Sequence, residues 1–208
     1  MKEEESFSYT AIKLCGVFAL VYLLQVRYSF NPGFNASSSP WWKFFTSIFG
    51  HSDLEHLLNN LFFIGLFGSI YERWTSSELF LWTFLVSALI ANISAFIFFP
   101  ENFIIGASGG GMGLMAALAV YRPNQPGLAL GIPVPMWAAL ILYILIDLAG
   151  LTGANSVANE AHLLGILVGS IIGLHLRDND EEEKEEDDLE MENFREKIRR
   201  WEERWMLD

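Results

Sequence analysis

The chain is 208 residues long, 52% hydrophobic and only 18% charged, with a mean hydropathy of +0.30 and a formal net charge of −12. Residues 177–208 hold fifteen of the 25 acidic and seven of the 13 basic side chains, so they carry −8 of that −12. The remaining 176 residues keep ten acids and six bases, too few to solvate a globular surface, so a soluble domain is excluded, and the acidity argues against a nucleic-acid partner.

The first apolar run, Ala11–Val26, is interrupted only by Lys13. Glu3, Glu4 and Glu5 crowd its start and no small-residue cleavage site follows it, so it reads as a retained span and not as a signal peptide. Cys15, the single cysteine, lies inside it, which leaves no disulfide framework. Asn31–Gly50 is too polar to span. Its Pro40-Trp41-Trp42-Lys43-Phe44-Phe45 stretch has the composition of a membrane-interface loop, either a plain aromatic belt or a shaped functional loop.

A helix needs about 20 apolar residues to cross a bilayer. Leu57–Tyr71 is a short candidate, Leu79–Phe99 offers 21 residues without a charge and Phe103–Tyr121 offers 19. Leu128–Leu151 is broken only by Asp147, and Ala161–Leu176 completes the set. The expectation is an all-α polytopic membrane protein. A six-helix membrane domain occupies residues 11–176, after an N-terminal cytoplasmic segment (residues 1–10) and before a tail (residues 177–208). With the N-terminus inside, the inner flanks collect Lys2, Lys13, Arg73, Arg122 and Arg177, against Arg27 and Lys43 outside. Both termini are then cytoplasmic. The absence of a targeting peptide favours a prokaryotic plasma membrane.

In the tail, Asp178–Asp188 is almost continuous acid and reads as a solvated, disordered linker. Beyond it Phe194, Ile198, Trp201 and Trp205 form one helical stripe flanked by Arg195, Lys197, Arg199, Arg200 and Arg204. Such a helix lies on the inner leaflet or docks on the cytoplasmic face of the protein.

Polar groups at membrane depth are costly and mark candidate sites. Three clusters qualify, each opening an even-numbered span: His51 through Asn60, Gly106-Ala107-Ser108-Gly109, and Asn159-Glu160-Ala161-His162. From an N-inside start these spans all begin outside, which sets His56, Ser108 and His162 at similar depth. Gly109 and Gly113 on the fourth span, and Gly165, Gly169 and Gly173 on the sixth, recur every four residues. Small residues at that spacing let two membrane helices approach closely, which would bring Ser108 to His162. A serine hydroxyl attacks only when a base takes its proton, and His162 is the candidate base. The Ser108 backbone N–H, the Asn60 amide and the His56 ring are candidate donors to an oxyanion. Asp147 reads as a paired structural acid and not as a third catalytic member. His51 reads as structural, Glu72-Arg73 as an inner-face ion pair or anchor, and His175 as uninvolved.

Together the His51/His56/Asn60 cluster, Gly106-Ala107-Ser108-Gly109, and Ala158 to His162 with Gly165 and Gly169 resemble the rhomboid intramembrane proteases over roughly residues 10–176. The resemblance implies a six-helix bundle around a wet cavity open to the outside. It implies Ser108 as nucleophile, His162 as general base, and His56, Asn60 and Ser108 as the oxyanion hole. It also implies cleavage of transmembrane segments of other membrane proteins, near their outer ends, without metal or cofactor. Two positions depart from the family pattern. Lys43 stands where many members have arginine after a tryptophan, and Met112 stands where many have an aromatic residue four after the serine.

Four rival readings are weaker. Gly106-Ala107-Ser108-Gly109-Gly110 fits G-x-S-x-G, but that motif needs a strand before it and a soluble sheet beneath it. His51 and His56 are five apart, not the four of a helical zinc pair. A non-catalytic relative that binds membrane clients would be expected to have lost the serine or the histidine, and both are present; a small transporter would show inverted repeats or charges along a pathway.

Overall fold

The computed structural model describes residues 8–98, 101–151 and 156–205 of the chain. Lys2 through Glu5 and Phe99, and the side chains of Ala158, Arg204 and Trp205, lie outside the described residues. The architecture is helical, with one small hairpin. Helix α1 covers Thr10–Tyr28, α2 is the single turn Lys43–Thr46, and α3 covers Leu54–Phe63. A π-helical turn, Ile64–Gly68, joins α3 to α4 (Ser69–Trp74), so the second apolar run forms one rod. Then come α5 (Ser77–Phe98), α6 (Ser108–Tyr121), strands β1 (Pro126–Ala129) and β2 (Ile132–Pro135), α7 (Met136–Gly150) and α8 (Ser156–Trp205). Among the described residues, α1, α5 and α8 are long and apolar enough to cross a membrane, while α6 and α7 are shorter apolar helices.

Helix α6 is the centre of the bundle. Every residue from Gly109 to Ala119 is buried. At about 1.5 Å per residue its 14 residues span roughly 21 Å, short of a hydrocarbon core of about 30 Å. Its neighbours α5 and α8 supply the missing height. Where α6 meets α8 the backbones touch: a Cβ at Gly165 would overlap the Gly109 carbonyl, one at Gly169 the Gly113 carbonyl, and one at Gly173 would press on the Ala117 carbonyl. The close approach expected from the glycine spacing is therefore present, in a constant register. On the other side Phe84, Ser87 and Ala91 of α5 fill the space against Gly110, Gly113 and Gly109. The outer helices keep large apolar side chains exposed, among them Leu20 and Leu23 on α1, Trp82 on α5 and Ile141 and Leu145 on α7. In water such a belt would be an aggregation surface; in lipid it is solvated.

Three sequence expectations are corrected. The fourth apolar run starts at Phe103, yet α6 starts only at Ser108, because Ile104 instead pairs with Phe34 as an isolated antiparallel bridge. The fifth run does not form one helix from Leu128. Pro133 and Pro135 deny helical hydrogen bonds, and Pro126–Pro135 folds into a hairpin whose turn, Leu130-Gly131, has φ of 52° and 79°. Two positive φ values are what a two-residue turn between right-twisted strands requires. Third, the acidic stretch 178–188 is helix, continuous with the last span. No glycine or proline interrupts residues 177–205, glutamate and lysine are good helix formers, and extending an existing helix avoids the cost of nucleation. Arg122 holds the helix laterally through a 2.6 Å ion pair with Asp180. Phe194, Ile198 and Trp201 are exposed on it.

Glu72, on α4, is an anchor of the kind expected from the sequence. It is buried and accepts from the backbone N–H of Thr10 (2.8 Å) and Ala11 (3.0 Å) and from the Ser77 hydroxyl (2.7 Å), tying the start of α1 to the α4–α5 turn.

Candidate active site

The N-terminal parts of helices α3, α6 and α8, with α5 and residues 102–106, enclose a partly open cavity of about 800 Å³. His56, Asn60, Gly106, Ser108, Met112 and His162 all line it. Each is held by a local device. Asp53 caps α3, its carboxylate accepting from the backbone N–H of His56 at 2.8 Å. That bond, with one from the Ser52 hydroxyl, holds the Asp53 carboxyl below the usual carboxylate range. Ser52 Oγ also lies 3.1 Å from His56 Nδ1. One turn on, the buried Asn60 donates through Nδ2 to the His56 carbonyl at 3.0 Å.

Ser108 is the first residue of α6, where the backbone N–H has no helical partner. The chain reaches it through Gly106, at φ +124°, whose N–H donates to the Ser47 carbonyl at 3.0 Å. A Cβ at Gly106 would sit 2.7 Å from the His56 ring, so only glycine satisfies both backbone and space. Gly106→Ala is expected to cost about 1–3 kcal/mol of backbone strain and to displace the His56 ring. A thermal melt of the purified variant should show the loss, and an unchanged melting temperature would contradict this packing.

Ser108 and His162 come to one cavity because Gly109 and Ala161, their chain neighbours, sit at the α6–α8 contact. A Cβ on Gly109 would lie 3.6 Å from the Ala161 carbonyl. His162 is partly buried, and its Nδ1 lies 3.0 Å from Oδ1 of Asp147, near the end of α7. The expectation of a paired structural acid at Asp147 did not extend to this partner. One acid inside an otherwise apolar run is the signal that the sequence offers, and it does not say which side chain the acid meets.

The loop between α1 and α3 contributes Ser52 to the cavity lining and is tied to the segments around it. Asn92 of α5 donates to the Phe44 carbonyl (2.8 Å) and to Ser47 Oγ (3.1 Å), and Asn35 donates to the Glu101 carbonyl (2.6 Å). Lys43 donates to the Asn31 carbonyl at 2.7 Å, closing the loop on itself. Trp41, Trp42 and Phe45 are exposed, as interface aromatics would be. His51 is buried, packs edge-on against Phe18 and His56, and is clamped through its backbone by Gln25. Burial, then the neighbouring His56, pushes its imidazole down to about 4. This fits a structural histidine. No cluster of three or more His, Cys, Asp or Glu side chains with metal-binding geometry occurs among the described residues.

Comparison with known proteins agrees with the fold. A sequence profile described as the rhomboid domain matches residues 38–179. The chain is 26% identical over 170 residues to "Rhomboid-like protein 11, chloroplastic" of Arabidopsis thaliana, covering 76% of this chain and 60% of that protein. It is 28% identical over 147 residues to "Putative rhomboid protease YdcA" of Bacillus subtilis, covering 67% and 70%. It is 26% identical over 131 residues to "Rhomboid protease GlpG" of Yersinia pestis, covering 63% and 46%. The chain thus spans less than two thirds of the Arabidopsis and Yersinia relatives.

Proposed function

This chain belongs to the rhomboid family and is an integral membrane protein, and from that premise we propose that it is an intramembrane serine endopeptidase cutting transmembrane segments of other membrane proteins. The observation that carries the reading is the meeting of Ser108, His162, His56 and Asn60 on one partly open cavity at the heads of three helices. In the proposed reaction His162 takes the hydroxyl proton while Ser108 Oγ bonds to the scissile carbonyl carbon. The carbonyl oxygen becomes an oxyanion, met by the Ser108 N–H, the Asn60 amide and the His56 ring. Collapse of the tetrahedral intermediate breaks the C–N bond, and His162 returns the proton to the leaving amine. Water, deprotonated by His162, then hydrolyses the acyl-enzyme.

The shortness of α6 supports a reaction below the membrane surface. Ser108 stands at the top of a helix too short to cross, beside irregular backbone that is tolerated at such depth only where it is buried or lines a wet cavity. The wider arrangement is six spans over residues 11–176 with both termini cytoplasmic, in a prokaryotic plasma membrane, and with substrates that are themselves membrane proteins.

The test is covalent. A fluorophosphonate reacts only with a serine activated as a nucleophile, so incubation of the detergent-solubilised protein should label Ser108, located by peptide mass, and block cleavage of a model transmembrane substrate. Cleavage that proceeds with Ser108 unlabelled would refute the assignment. Silence in both measurements would favour a client-binding member of the family.

A further inference from the structure

Helix α7 contributes one buried acidic side chain to the interior, and it is aimed at the proposed base. Asp147 is 3% exposed, its Oδ1 lies 3.0 Å from His162 Nδ1, and its Oδ2 is buried without a hydrogen-bond partner among the described residues. An isolated carboxylate at this depth is costly, and a hydrogen-bonding imidazole is the kind of partner that makes it tolerable. Met112 lines the same cavity one helical turn beyond Ser108. It is a flexible thioether without a rigid face or a polar atom of consequence.

We propose that Asp147 is a positioning residue for His162: it fixes the imidazole as the tautomer protonated on Nδ1, so that Nε2 presents its lone pair to the cavity. The assignment rests on the protease reading above and concerns proton placement. A carboxylate anion only accepts, so with Asp147 in that form the 3.0 Å contact puts the hydrogen on Nδ1. That leaves Nε2 bare, the form a general base needs. When Nε2 receives the Ser108 proton, the ring becomes an imidazolium beside a fixed anion, which stabilises it without Asp147 itself taking a proton. The acid comes from α7 and the histidine from α8, so alignment of the base depends on how these two helices dock.

The experiment has two arms. In the first, the intact protein is labelled with ¹⁵N-histidine and solubilised, and the His162 ring resonances are assigned against a His162→Ala sample. At neutral pH the ring should be a neutral imidazole with Nδ1 protonated and Nε2 bare; a ring protonated on Nε2 alone overturns the proposal. In the second arm, kcat and KM for a model transmembrane substrate are measured for Asp147→Asn and Asp147→Glu. The asparagine amide can donate to a bare Nδ1 and favours the wrong tautomer, so kcat should fall about 100-fold or more with KM within about twofold. Glutamate should restore part of the rate. An Asp147→Asn enzyme within about threefold of the wild-type kcat refutes the proposal while leaving the protease reading intact. Cleavage surviving in a Ser108→Ala control would instead remove the protease reading. Should Asp147→Asn fail to fold, the resonance measurement on the unmodified protein decides alone.

Discussion

Ser108→Ala should reduce cleavage of a model transmembrane substrate by about 10³-fold or more, to the level of a buffer blank, and His162→Ala should do the same. The size follows from the chemistry. A peptide bond at membrane depth meets no other activated nucleophile in the proposed site, and a serine without its base is a poor one at neutral pH. Because the two groups would act as one unit, the double variant should be no slower than either single variant. Ser108→Ala should not disturb the fold, whereas His162→Ala strips the buried Asp147 carboxylate of its 3.0 Å partner and should also lower Tm. Ser108 is the first residue of α6, and no side-chain capping bond holds that end of the helix, so Ser108→Ala should melt within a few degrees of wild type. A Ser108→Ala protein that still cuts at the same bond would end the mechanism. A protein inactive because it is unfolded would show in the melt.

The second large effect is structural. Gly169→Val should destabilise the protein by about 3 kcal/mol, the upper end of ordinary overpacking penalties. For a chain of this length that lowers Tm by roughly 6–12 °C. A Cβ at Gly169 would lie on the Gly113 carbonyl, which belongs to the backbone of a buried helix and has no rotamer by which to retreat. The helices must separate, and with them the cavity shared by Ser108 and His162, so activity should fall with stability. Gly16 is the matched control. It is an exposed glycine on α1 with nothing within 4 Å of a Cβ placed there, so Gly16→Ala should leave Tm unchanged or raise it, since alanine is favoured over glycine in a helix by about 1 kcal/mol. Equal losses at the two positions would mean that the α6–α8 contact is not what holds the bundle together.

That contact is legible in the residues themselves. Gly109 and Gly113 against Gly165, Gly169 and Gly173 state a small-residue face in sequence alone, because the 3.6-residue period decides which residues share a face. The same periodicity places His56 and Asn60 together. Hydropathy is less reliable at the ends of elements. Phe103 to Ala107 is as apolar as a helix interior, but Ile104 makes a bridge to Phe34 instead. Leu128 to Pro135 is apolar too, and there the prolines are the signal that outweighs the hydropathy.

What the sequence determined by itself is therefore what depends on composition and on neighbours a few residues away: a membrane protein, its apolar runs, the faces those runs present, and the three polar clusters. Tertiary structure alone decided the pairings between faces. Asp147 and His162 meet because α7 and α8 dock with particular rotations, and Gly106 accommodates His56 because α3 and the approach to α6 cross at that point. Hydropathy and periodicity describe one helix at a time, and they contain no term for the angle or depth at which another will meet it. The tail shows the same limit. Its charge predicted solvation, and it is largely exposed, but whether it continued as helix depended on the span before it, which supplied the nucleus that an isolated acidic segment lacks.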